Sequence, residues 1–152
     1  MQCSTFNILK QIAQNTPDFE TFKEDLVDKL IRREPGASPD TANPYHYIKC
    51  PMQEINISDI TDSDNLVGRA DMQMRNIKRG VPGGHGVVIG RQIESPIAVR
   101  MTDAGTYDIE DGMHRPIQAV MNGDKTILAF VVGGNNGITL KELYDQARAE
   151  LK

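Results

Sequence analysis

The sequence predicts a mixed α/β fold of the α+β kind, a small sheet with flanking helices preceded by a helical hairpin. Three observations predict it. Up to about Arg33 the apolar residues recur only at helical spacing. From Tyr47 onward, short alternating or Ile/Val-rich runs interleave with helical patterns. The run Thr126–Val132 (TILAFVV) reads as a buried strand, followed by a strong helix-start signal.

The elements follow in order. Phe6, Ile8, Leu9, Ile12 and Ala13 form one helical stripe. Thr16-Pro17 predicts a restart, with Thr16 as cap and Pro17 in the first helical position. Phe19, Phe22, Leu26, Val27 and Leu30 continue at helical spacing, which gives a hairpin ending near Arg33. Both stripes need a surface to cover them, so the hairpin is expected to pack on the main domain. The alternative is a separate interaction element. Residues 34–44 (EPGASPDTANP) read as a linker. The expected division is a hairpin over 1–34, a linker over 35–46 and a domain over 47–152. Tyr45, His46 and Tyr47 then either stack on a base or anchor the domain onto its core.

Within that domain, Met52–Ile57 alternates as a first strand, and Asp62-Ser63-Asp64 supplies turn and cap residues. Leu66, Ala70, Met74 and Ile77 predict a helix ending at Gly80. The glycine-rich loop 80–90 holds His85. Residues 96–101 and 106–110 predict a β-hairpin across Asp103-Ala104-Gly105. A short helix from Pro116 to Met121 ends at Asn122-Gly123, and the strand Thr126–Val132 follows. After the turn Gly133–Gly137, Thr139 and Glu142 form a capping box for a last helix, with Leu140, Leu143, Tyr144, Ala147 and Leu151 on its inner face.

Composition sets limits. A chain of 152 residues can bury a core without staples. The net charge of −4 disfavours polyanion binding over the whole surface. Arg69, Arg75, Lys78, Arg79, Arg91 and Arg100 face few acids in their span. They read first as a solvated helix face with scattered loop charges, and second as a local basic patch. Cys3 and Cys50 sit in no ligand spacing and fit free thiols in a reducing compartment. No apolar stretch is long enough to span a membrane, and the N-terminus does not resemble a secretory signal. A cytoplasmic location with no membrane partner is the expectation.

The chemistry concentrates between Tyr107 and Arg115 (YDIEDGMHR). Alternating strand residues lead into an acid, a glycine, a histidine and an arginine, and a helical pattern follows. Glycine allows the sharp turn. His114 and Arg115 then fall at a helix mouth, where free N–H groups favour an anion such as phosphate. Each residue also has a plain structural use. Asp111 can cap the helix, Arg115 can pair with Glu110 or with the C-terminal residues, and His114 can hold a structural hydrogen bond. No Walker A, Gly-x-Ser-x-Gly, His-Glu-x-x-His or zinc spacing is present.

Three runs, residues 95–100 (SPIAVR), 105–119 (GTYDIEDGMHRPIQA) and 123–131 (GDKTILAFV), together resemble the ParB/sulfiredoxin-like superfamily, over about Met52 to Val132. The resemblance implies a phosphate cradle from Gly112, Met113, His114 and Arg115. It implies Asp111 as catalytic base or Mg²⁺ ligand, with His114 and Arg115 stabilising charge on the transferring group. It further implies ATP or CTP as the nucleotide, and Mg²⁺-assisted phosphoryl transfer or phosphoester hydrolysis of a nucleotide or nucleic acid. Asp62, Asp64, His85 and Arg100 stand as accessory candidates; the loop carrying His85 reads equally as a surface connection without a role. Two departures narrow the activity. Sulfiredoxins carry a cysteine where this chain has Met113, and a thioether cannot attack as a thiolate does. Partition clamps carry a long DNA-reading helical region, whereas one short helical segment follows Val132 here. The alternative is a non-catalytic module that retains the fold and binds nucleic acid, or a protein partner through its N-terminal helices.

Overall fold

A computed structural model describes residues 4–31, 44–80, 90–111 and 114–151, apart from the side chains of Ser4, Lys29, Leu30, Ile31, Pro44, Tyr45, Asp111 and His114. The described elements run α1 (Ser4–Gln14), α2 (Phe19–Ile31), α3 (Pro44–Tyr47), β1 (Met52–Asn56), a 3₁₀ turn (Ile57–Asp59), α4 (Ser63–Lys78), β2 (Ile97–Met101), β3 (Tyr107–Asp111), α5 (His114–Met121), β4 (Thr126–Val132) and α6 (Leu140–Ala149). The strands form one mixed sheet in the order β1-β4-β2-β3. β1 pairs antiparallel with β4, β4 parallel with β2, and β2 antiparallel with β3. This is the mixed α/β class that the alternating and helical patterns predict, with the N-terminal helical pair in place.

β4 explains the layering. Six of its seven residues are buried, so it needs cover on both faces. Leu128, Phe130 and Val132 join one core with Met52, Ala98, Leu9, Ala13, Phe22, Leu26, Val27 and the buried side of α6. Ile127, Ala129 and Val131 join the other, with Ile55, Ile97, Val99, Leu66, Ala70 and Ile117. Helices α1, α2 and α6 therefore cover one face and α4 and α5 the other. The apolar stripes of α1 and α2 are spent on this core, as the need for a covering surface predicts. Tyr47 is buried there too, which gives at least this aromatic the anchoring role.

Local chemistry accounts for the ends. Thr139 accepts a hydrogen bond from the Glu142 amide, and the Glu142 carboxylate receives the Thr139 amide at 3.2 Å, so the capping box forms as its spacing predicts. Gly137 (φ +116°) lies against the Met52 carbonyl, where a Cβ would collide. That close approach lets Ile138 bridge to Met52 beside β1.

Two expectations are corrected. Thr16 does not cap α2. Its hydroxyl donates back to the Ile12 carbonyl at 2.6 Å, and α2 starts later, with the Thr21 amide donating to Asp18 Oδ1 at 2.8 Å. Asp18 is thus the capping residue and Pro17 lies ahead of the helix. Leu151 is 55% exposed, because α6 ends at Ala149 and the helical period no longer aims it inward. Among the described residues, no helix is long and apolar enough to cross a membrane.

Candidate functional site

Two placements converge at the start of β2. The first is a register shift. Val99 stands opposite Ile109, but Ala98 stands opposite Asp111, one residue further than regular pairing gives. A bulge of this kind re-aims the end of a strand. It brings the backbone of Asp111 beside Ala98, two residues from Pro96.

The second placement is Arg115, in the first turn of α5. Its guanidinium reaches back over segment 90–96, which runs alongside that helix. Arg115 Nη1 donates to the Ser95 carbonyl at 3.2 Å, to Ser95 Oγ at 2.6 Å and to the Pro96 carbonyl. The segment is also held at its other end, where Gly90 N–H donates to Asn122 Oδ1 and Asn122 Nδ2 donates to the Arg91 carbonyl. Between these points the Thr5 hydroxyl of α1 donates to the Ile93 carbonyl. The anchor for Arg115 is therefore fixed in place.

The rest of the guanidinium is unusual. Arg115 is 9% exposed, and its Nε and Nη2 are buried with no hydrogen-bond partner. Among the described residues no carboxylate forms an ion pair with it. Buried charges are ordinarily paired, and an isolated buried donor carries a desolvation cost of about 1–3 kcal/mol. Glu110, the plain structural partner for this arginine, instead accepts from Arg100 Nε at 2.6 Å.

The remaining candidates are distributed as follows. Arg100 lies opposite Asp108, toward the far end of β2 from Ser95 and Pro96, and is engaged by Glu110. Asp62 and Asp64 lie at the start of α4, where the Thr61 amide donates to the Tyr107 carbonyl. That is the opposite end of β3 from Asp111, roughly 13 Å along the strand. The strand thus sets both acids apart from the Asp111 end. His114 opens α5, while His85, Gly112 and Met113 lie outside the described residues. Among the described residues no group of three or more His, Cys, Asp or Glu side chains comes together.

The basic residues of α4 have a local use. Arg75 and Lys78 lie in its last turn and Asp64 in its first, which complements the helix dipole at both ends. Cys50 is a free, partly buried thiol, and burial raises its pKa against an opposing pull from Arg100.

Ser95 is the residue that sequence reasoning passed over. Its only local signal is a small hydroxyl residue just before the Pro-Ile strand start, and its partner lies twenty positions away. No family model matches this sequence, and no curated protein is significantly similar to it.

Proposed function

We propose that the corner where β3 gives way to α5 binds the phosphate group of a nucleotide or similar phosphate ester. Arg115 carries this reading. A guanidinium that is buried, tethered by one nitrogen and left with two unfilled donors calls for an oxyanion, which satisfies both the charge and the hydrogen bonds. The first-turn amides of α5 add to it, because amides at a helix start lack partners within the helix. The sequence resemblance points the same way, through the cradle Gly112, Met113, His114 and Arg115. Phosphoryl transfer or phosphoester hydrolysis extends this proposal, with Asp111 as base and His114 as donor. Mg²⁺, as the resemblance implies, would be held by Asp111 and would offset charge on the phosphate oxygens.

Thermal denaturation with ATP, CTP and inorganic pyrophosphate tests the reading. A ligand at a hundred times its dissociation constant adds about 2.7 kcal/mol, which raises Tm by roughly 5–10 °C in a chain of this size. Arg115→Met should abolish that rise. A rise of equal size in the variant, or none with any of the three in the native chain, would overturn the proposal. Nucleic-acid binding through the basic residues between Arg69 and Arg100, with Arg115, ranks second, since the helix dipole already accounts for Arg75 and Lys78 at the end of α4. It requires affinity that falls steeply with salt.

A further inference from the structure

We infer that Arg115 meets its ligand through one edge, the Nε and Nη2 pair, and that Ser95 is the positioning residue that sets this edge. The inference rests on the phosphate reading of the same corner and says how the anion is held.

A guanidinium has five N–H groups in a rigid plane. The two on Nη1 are consumed, because Ser95 Oγ and the carbonyls of Ser95 and Pro96 crowd that nitrogen. The end-on fork between Nη1 and Nη2 is therefore closed to a ligand. The side-on fork keeps both members, since Nε and Nη2 have no partner. Its two N–H bonds run parallel, at a spacing that matches two oxygens on one phosphorus or one carboxyl carbon. Protein atoms shield both nitrogens from bulk solvent.

Ser95 acts through Arg115. Its hydroxyl and carbonyl fix the far nitrogen, and because the plane is rigid, fixing Nη1 fixes the direction of the opposite edge. Ser95 is itself buried, and the segment it belongs to is tied down at Ile93 and Arg91. Loss of the hydroxyl removes the shortest side-chain contact to Nη1 and lets the plane turn. The ligand class is accordingly an oxyanion that offers two oxygens in one plane with the guanidinium. A single point charge such as the ammonium of lysine cannot replace the fork.

Nitrogen-15 NMR of the full chain, with resolved arginine Nε–H and backbone signals, provides the test, using inorganic pyrophosphate as the probe. On titration the Arg115 Nε–H signal should shift together with the first-turn amides of α5. Ser95→Ala should weaken binding about tenfold, the scale of losing one hydrogen bond to a charged group, and Ser95→Thr should restore most of it. Arg115→Lys should lose binding at least tenfold although it keeps the positive charge. If the α5 amides shift while Nε–H stays fixed, the edge assignment is wrong and the phosphate site stands. If no signal in the corner responds, the phosphate site itself is wrong. Native affinity in Ser95→Ala would remove Ser95 from its role, and native affinity in Arg115→Lys would remove the fork.

Discussion

The two faces of the sheet treat buried polar groups differently. Beneath α1, α2 and α6 no buried side-chain polar atom of the described residues lacks a partner. Tyr144 donates its hydroxyl to the Thr16 carbonyl at 2.8 Å, Thr16 donates to Ile12, and Arg148 donates to the Gln14 carbonyl at 2.8 Å. The rings of Phe19, Phe22 and Tyr144 pack with centroids 5.5–6.5 Å apart. Beneath α4 and α5 the core is equally apolar, yet Arg115 ends there with two donors unfilled. One face is finished as a structure. The other keeps a polar deficit, and deficits of this kind gather where a protein meets a ligand.

The largest expected effect would break the distinction by damaging what both faces share. Phe130 is fully buried on central strand β4. Phe130→Ala should cost about 3–5 kcal/mol, seen as a lower urea midpoint with an unchanged m-value. A cost under about 1 kcal/mol would mean that β4 is not the wall between two cores.

A pair of variants sharpens the comparison. Tyr144→Phe on the closed face leaves the Thr16 carbonyl without its partner and should cost about 1–2 kcal/mol. Arg115→Met on the open face has offsetting terms. It leaves the Ser95 hydroxyl and the Ser95 and Pro96 carbonyls without this donor but removes a buried charge with two empty donors, and these opposing terms should leave stability in plain buffer within about 1 kcal/mol of native. Chemical denaturation in buffer without phosphate or sulfate compares them. If Arg115→Met proves the more damaging of the two, the arginine is a structural bolt and the contrast between the faces fails.

How far each region was legible follows from the range of its interactions. β4 and α6 could be read directly, because an apolar run and a Thr139–Glu142 box are local patterns. The hairpin of β2 and β3 was legible for the same reason, through the turn Asp103-Ala104-Gly105, where Gly105 adopts φ +82°. Even a local signal misled at Thr16-Pro17, where the hydroxyl of Thr16 turned back into the preceding helix and Asp18 took the cap. The candidate site was half legible. Arg115 could be picked out from its place at a strand–turn–helix junction. Its tether to Ser95 and the bulge that sets Asp111 opposite Ala98 depend on strand register, and register is a property of the folded sheet.

The smallest expected effect comes from the closed face and depends on pH. The amide and hydroxyl of Thr21 hold the Asp18 carboxyl below its ordinary value. A carboxylate whose folded pKa is depressed stabilises the fold fully above its unfolded value of about 3.9. That contribution disappears as pH falls through the lower folded value. Asparagine caps helices nearly as well as aspartate but does not titrate in this range. Asp18→Asn should therefore match the native chain closely at pH 7 and lose less stability than the native chain below about pH 4. The difference between their urea midpoints, followed from pH 7 to pH 2, isolates this one group from the other acids. A flat difference across that range would return the capping role to another residue. Pyrophosphate at pH 7 should leave the difference unchanged, because the Asp18 carboxylate is engaged by Thr21 and takes no part in the Arg115 corner.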